Sequence, residues 1–332
     1  MSGMASEDTK YACVRYEGRY RDAWDDLVLG SQQHSILHSR AFLDYHGERF
    51  EDRSLVFLDK SANRVVGVLP AALHPSRTDM VASHPGSTFG GLLLRHVEPT
   101  AFRPFFDMAA EFYRASGVTT LRYKTTPSFV ARQPDETELQ HGLRHGSLVG
   151  SDLWSVVRLN DFRFHQKRRA SITAAERKGV TVRQGTSTPD WQAFHDMLQI
   201  NLRERHDTAP VHDFDELLDV NARLAERSQL YLADTKDGNL GAGVWLIDYG
   251  QGSIHTQYIA STAEGRNAGA VDLVLARAIE DGAAKGFRNF SFGVSAARDG
   301  ELNEGLLRFK LRFDAGVVVH MIFDYDLQSL YR

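Results

Sequence analysis

Apolar and polar positions fall into short blocks along this chain, and the same order of blocks occurs twice. Leu55 to Ala71, LVFLDKSANRVVGVLPA, is an apolar run, a polar turn and a second apolar run, which is the pattern of a β-hairpin. Leu230 to Ile247, LYLADTKDGNLGAGVWLI, repeats it. Beyond each hairpin lies a helix-like stretch that ends in small residues and Gly and passes at once into a strand: FFDMAAEFYRASGVTTLRY in the first half, LVLARAIEDGAAKGFRNFSF in the second. Gly117 and Gly286 stand where a helix end must turn left-handed before a buried strand begins. A recurring order of elements predicts a duplicated fold. Helices flanking a mixed sheet, parallel only where a helix crosses over, predict an α/β (α+β) architecture.

The length of 332 residues suits two cores of about 150 residues each. We place the boundary near residue 150, giving domains 1–150 and 151–332. Pro134 to Gly150 is polar and Gly-rich enough to serve as the connection, with room for a short strand.

Composition then removes several function classes. The apolar runs Val65 to Leu73 and Gly241 to Ile247 are far shorter than the ~20 residues of a membrane span, and the N-terminus lacks a basic start followed by an apolar block. A cytoplasmic protein with no membrane span is expected. Cys13 is the single cysteine, which rules out a disulfide framework and a Cys-rich metal site. The pairs His34/His38 and His141/His145 lack the Glu and third ligand of a zinc site, so no metal is expected. A net charge of −4 leaves nucleic acid only a local patch, and Arg163, Lys167, Arg168, Arg169, Arg177 and Lys178 form the best one. No Walker loop or Rossmann fingerprint occurs, and Gly293 to Ala297 falls short of a G-x-S-x-G elbow because Ala297 replaces the last Gly.

The second half also carries an ordered set of segments: HQKRRASITAAERKGVTV from His165, NLRERHDTAPVHDFDEL from Asn201, the long run from His255 to Gly293, and LNEGLLRFKLRF from Leu302. Together they resemble the FemAB-like branch of the GNAT superfamily, which includes Fem-type aminoacyltransferases and acetyltransferase-like proteins of polysaccharide and natural-product pathways. SHPGSTFGGLLL, from Ser83, is similar to the first-half pattern of such proteins. The resemblance implies two tandem GNAT-like domains with a cleft between them, no metal, and direct attack of an amine on a thioester or aminoacyl ester.

It also nominates residues. Lys310 matches the Fem-type lysine near the C-terminus, and the resemblance implies a cation beside the reacting ester, against the plain alternative of a solvated helix face. His206 and His212 can take a proton from an ammonium nucleophile, with Arg205 beside them as an acceptor contact and Asp213 as a helix N-cap. In HTQYIAS, strict alternation puts Gln257 and Tyr258 on opposite faces, so only one of a substrate-binding Gln257 and a catalytic Tyr258 is expected to face the site. Asn303 is a further substrate contact. Gly265, Arg266 and Gly269 are similar to the pyrophosphate loop of acetyl-CoA-binding GNATs, but Val271 replaces the final Gly or Ala. Arg266, Gly269, Lys167 and Arg168 are therefore the candidates for binding donor phosphates. Three functions follow. The first is an acyltransferase moving an acyl group from acyl-CoA, a co-substrate rather than a resident cofactor, to the amine of an amino sugar or related small molecule. The second is an aminoacyl-tRNA-dependent transferase acting on a cell-wall precursor or peptide natural product. The third is a non-catalytic saccharide- or peptide-binding module that uses SHPGSTFGG as a ligand loop.

Overall fold

The computed structural model describes residues 10–95, 99–133, 135–206, 208–296 and 300–330; of Pro99, Arg205 and His206 it describes the backbone alone. The chain forms two compact units, Met1–Ser151 with His320–Arg332, and Asp152–Val319.

The first unit contains β1 (Tyr11–Arg15), α1 (Arg21–Gly30), α2 (Arg40–Leu43), β2 (Leu55–Asp59), β3 (Arg64–Leu69), β4 (Ala72–His74), β5 (Arg77–Ala82), β6 (Leu93–Leu94), α3 (Phe102–Ala115), β7 (Thr120–Lys124), α4 (Thr137–His145) and the start of β8 (Ser147–Arg158). Antiparallel pairing gives one sheet in the order β1-β2-β3-β6. In the other sheet β4 pairs antiparallel with β5, and β5 pairs parallel with β7 across α3. α3 presents Phe102, Phe105, Phe106, Ala109, Ala110 and Tyr113, a spacing that keeps every buried side chain on one stripe. That stripe packs with Leu55, Phe57, Leu121 and Tyr123 in the unit's core.

The second unit continues from β8 through α5 (Gln166–Arg177), β9 (Thr181–Gly185), α6 (Thr188–His206), α7 (Phe214–Leu224), β10 (Ser228–Asp234), β11 (Leu240–Gly250), β12 (Ser253–Ser261), α8 (Ala263–Ala268), α9 (Ala270–Ala284), β13 (Asn289–Val294), α10 (Glu304–Leu311) and the start of β14 (Ala315–Asp326). Its strand order is β8-β13-β12-β11-β10-β9. β12 and β13 are the parallel pair, joined by α9, which repeats the β5-α3-β7 arrangement. Leu273, Val274, Leu275, Ala278 and Ile279 of α9 pack with Val244, Leu246, Ile254 and Phe290 of the sheet. Both helices end as the sequence predicts, on Gly117 at φ 82° and Gly286 at φ 81°.

Two features differ from expectation. Of the expected connection from Pro134 to Gly150, residues 137–150 instead hold α4 and the first part of β8; α4 buries Glu138, His141 and Gly142, and Gly142 lies so close to the Phe323 ring that a Cβ would overlap it. This fit needs a residue 181 positions away, which local composition does not reveal. In addition, the second unit stops at Val319 rather than running to 332. Ile322 to Asp326 of β14 pair antiparallel with β7, and Phe323, Tyr325 and Leu327 join the first core.

Candidate active site

A pocket of about 800 Å³ opens in the second unit, with walls from α6 (Leu198, Leu202), β12, the α9 start and α10. Lys310 belongs to its wall, yet only 3% of the residue is exposed. Its Nζ donates to the carbonyls of Gly293 (3.1 Å) and Val294 (2.6 Å), and among the described residues it joins no ion pair. Burial pushes the ammonium down to about 8. A solvated helix face is thereby excluded for Lys310; α10 starts at Asn303, whose Oδ1 caps the Leu306 N–H at 2.9 Å, and turns the lysine inward. Asn303 lines the same pocket.

β12 supplies the opposite chemistry. Thr256, Gln257, Tyr258 and Ile259 all line the pocket, so strict alternation does not hold here. The register shows why: Trp245 faces Tyr258 while its neighbour Leu246 faces Thr256, leaving Gln257 as the extra residue of a β-bulge. The bulge presents Gln257 and Tyr258 to one cavity. The Tyr258 hydroxyl lies 2.8 Å from Nδ1 of His212, which is buried just ahead of α7 and against Trp245. Asp213 caps α7 reciprocally with Glu216 and so fixes the backbone beside that imidazole. Burial raises the Tyr258 phenol, keeping it protonated at neutral pH.

The α9 start forms the pocket's third wall. Gly269 takes φ +85° between α8 and α9, and its missing Cβ lets α5 approach at Ala175. Gly265 packs on Gly241, where any Cβ would overlap the carbonyl oxygen, so its role is packing. Arg266 lines the pocket and donates to the Ser261 carbonyl at 2.9 Å. Helix starts attract anions because their first N–H groups point outward with a partial positive charge. Here the first turn already carries Asp272, whose carboxylate binds the Ser171 hydroxyl and the Arg168 guanidinium. Both Ser171 and Asp272 line the pocket. With Val271 beside it, this end of α9 does not fit a diphosphate.

The match to known proteins follows these elements. Residues 162–310 match the family described as Acetyltransferase (GNAT) domain. The matched residues fall within the second unit. The whole chain is similar in fold to FemX, with a TM-score of 0.68 at 13% identity over 95% of this chain and 97% of that one. It is also similar to L-PGS from Bacillus licheniformis (TM-score 0.62, 12% identity, 92% and 91% covered) and to a tandem GNAT protein from the clavulanic acid biosynthesis pathway (TM-score 0.54, 14% identity, 96% and 98% covered). No curated protein sequence matches significantly. The architecture is that of two tandem GNAT-like folds.

Within the second unit the other nominated residues separate. Lys167 is exposed on α5 and lies outside the pocket. Arg168, expected to meet phosphate, is 4% exposed, bound to Asp272 and laid over the Phe313 ring at 3.9 Å. A guanidinium so enclosed neutralises Asp272 instead of receiving a ligand, because helix periodicity turns one residue of the basic run toward the core. The side chains of Arg205 and His206 lie outside the described residues. Sequence reasoning missed Asn201, Ser171 and Asp272. Asn201 brackets the end of β12, donating to the Ser261 carbonyl at 2.6 Å and accepting from its N–H at 3.0 Å. The only local hint for Asp272 was a carboxylate immediately after the departing Val271. Among the described residues no group of His, Cys, Asp or Glu is arranged to hold a metal, and no helix is long and apolar enough to cross a membrane.

Proposed function

We propose that the second unit transfers an acyl group from an activated donor onto the amine of a small acceptor. The observation that carries this reading is Lys310, a desolvated ammonium with one N–H beyond its two carbonyl partners, in the wall of a pocket that also holds a protonated phenol backed by an imidazole. As the neutral amine attacks the donor carbonyl, negative charge develops on oxygen, and a fixed N–H in a low-dielectric wall stabilises it. The new bond leaves the amine nitrogen positively charged. Tyr258 passes its hydroxyl proton to His212 while accepting the proton that nitrogen releases, and collapse of the tetrahedral intermediate expels the leaving group as an alkoxide or thiolate, which takes up a proton from solvent. Gln257 and Asn303 orient the acceptor beside these groups.

Of the two donors expected from the sequence, the geometry supports an aminoacyl ester of tRNA over acyl-CoA. Asp272 and Val271 occupy the helix end at which a CoA diphosphate would otherwise be held, and the exposed cations of α5, Lys167 and Arg169, suit a phosphodiester chain. The acceptor is then an amine of a cell-wall precursor or peptide, with an amino sugar as the simpler case.

The test is to incubate the intact protein with an amine panel and either acetyl-CoA or bulk aminoacylated tRNA. Product that disappears when the tRNA is digested by RNase, without thiol release from acetyl-CoA, is the expected result. Thiol release reverses the choice of donor. If neither donor yields product, the pocket is a binding site only.

A further inference from the structure

The ammonium of Lys310 rests on two carbonyls of β13, and something must hold those carbonyls in place. We propose that His255 is a positioning residue for Lys310, acting through Ser291 and the backbone of Gly293. This inference rests on the reading of the pocket as an acyl-transfer site.

The geometry starts in β13, which pairs with β8 in register at Ser291 opposite Val156 and then slips, so that Gly293 faces Ser155 and Phe292 is the extra residue. Such a bulge bends a strand and turns its carbonyls out of the ladder. Past the bulge Gly293 adopts φ +68°, a left-handed conformation suited to glycine. The next carbonyls along, those of Gly293 and Val294, both receive Lys310 Nζ.

His255 lies directly under this turn. It sits opposite Ser291 on the neighbouring parallel strand β12, and a Cβ on Gly293 would come within 2.9 Å of its Cε1. The ring is held flat against Tyr249 at 4.7 Å and beside Trp154 at 5.4 Å. Its Nδ1 is 3.2 Å from the Ser291 hydroxyl, and that same oxygen accepts the Gly293 N–H at 3.1 Å. One consistent assignment follows. The hydroxyl donates to Nδ1, the imidazole is neutral with its proton on Nε2, and the Ser291 oxygen anchors the Gly293 amide from below. Anchoring the Gly293 N–H fixes the rigid peptide plane it shares with the Phe292 carbonyl; the Gly293 carbonyl belongs to the next peptide unit and is aimed from that fixed plane through the glycine's φ of +68° and its ψ.

Charge supports the same arrangement. Burial, with Lys310 adding to it, pushes the imidazole down to about 3, so it does not compete with the ammonium as a second cation. Around the lysine the titratable or charged groups are His255 and Tyr258 from β12, and Arg266 and Asp272 from the α8 and α9 wall of the pocket; β13 contributes none, nor does β8 between Trp154 and Val157. The imidazole is therefore a neutral spacer with a single acceptor, under a glycine that no larger residue replaces without meeting it.

Two variants and one spectroscopic readout test this. In His255→Leu the ring's acceptor is lost at similar volume, and in Ser291→Ala the anchor is lost with little change in packing. Both are expected to weaken the carbonyl cradle and to move the Lys310 titration, followed by NMR of its Nζ or ε-methylene, to lower pH by about one unit, the scale of one hydrogen bond to a charged group. The alkaline limb of the kcat/KM profile moves with it. His255→Asn, whose side chain still meets Ser291, is expected to restore the limb. If Ser291→Ala and His255→Leu leave the Lys310 titration where it is, the positioning role is overturned. If Lys310→Met retains full activity, the acyl-transfer reading fails instead, and the NMR titration still decides whether His255 builds the cradle.

Discussion

Lys124 in the first unit and Lys310 in the second both end on backbone carbonyls, and the count of those carbonyls separates their roles. Lys124 Nζ donates to the carbonyls of His84 (3.3 Å), Pro85 (3.3 Å) and Ser87 (2.6 Å), which occupies every hydrogen an ammonium has and ties the SHPGSTFGG loop to β7. Lys310 uses two and keeps the third for a pocket. The same contrast runs through the carboxylates and imidazoles. Glu138 in the first unit is enclosed by the Tyr123 hydroxyl and the Thr126 N–H, whereas His212 in the second meets a phenol that lines the cavity. The polar groups compared in the first unit are thus bound to one another or to backbone, although Lys124 also borders a pocket of about 400 Å³, whereas Lys310 and Tyr258 of the second unit line the pocket of about 800 Å³.

Exchanging each lysine for methionine tests this contrast most directly. Lys310→Met is expected to reduce kcat/KM by about 10²–10³-fold, the usual cost of one oxyanion donor. Its stability should fall by about 1 kcal/mol, because two carbonyls lose their donor while the desolvation cost of the ammonium is removed. Lys124→Met is expected to show the reverse balance: activity close to wild type at 25 °C, and a urea midpoint lowered by about 2 kcal/mol of stability as three carbonyls lose their donor. Loss of stability without loss of activity in both variants would make both lysines structural and favour the binding-module reading.

Tyr258→Phe sharpens the same comparison with a smaller effect. Removing the proton path while keeping the ring should lower kcat by about 10²-fold, with the effect shrinking as pH rises and the acceptor amine loses its proton to solvent. A pH-independent deficit would instead assign Tyr258 to binding.

The residues that make the two units differ are the ones hardest to read from a sequence. The hairpins at Leu55 and Leu230, the helices ending on Gly117 and Gly286 and the Asp213 cap are local, and each depends on residues within a few positions. Lys310, His212 and Tyr258 were legible as candidates, but their placement required long-range packing. The bulge at Gln257 exists only relative to β11, and the Asp272 contact with Arg168 spans 104 positions. α4 was hidden for the same reason: its burial depends on Phe323 from β14, a strand that returns from the far end of the chain.

Glu138 gives the first unit's set a pH signature. Burial, the largest influence, pushes its carboxyl up to about 7, against the lowering effect of the Thr126 N–H and the Tyr123 hydroxyl. Folding then takes up a proton at pH values between the ordinary carboxyl value of 4.5 and about 7. The associated stability is complete below that ordinary value and is lost as pH rises through the folded one, on the order of 3 kcal/mol in total. Glu138→Gln should flatten this part of the stability profile measured by urea unfolding from pH 4.5 to 8. A slope that survives the substitution would place the titration elsewhere.

The smallest effect concerns what the two units share. Gly117 and Gly286 end matching helices at almost the same φ, 82° and 81°, and neither has any atom within 4 Å of where a Cβ would stand. Packing therefore contributes nothing to the cost of an alanine at either site, and only the left-handed backbone does, at about 1 kcal/mol. Gly117→Ala and Gly286→Ala should lower stability by equal amounts and leave kcat/KM unchanged. Unequal losses would mean that the two helix ends are held by different neighbours, so that the repeat governs the path of the chain but not its energetics. Equal losses, beside the opposite behaviour of the two lysines, would assign the divergence of the halves to side chains alone, on a backbone the duplication has kept.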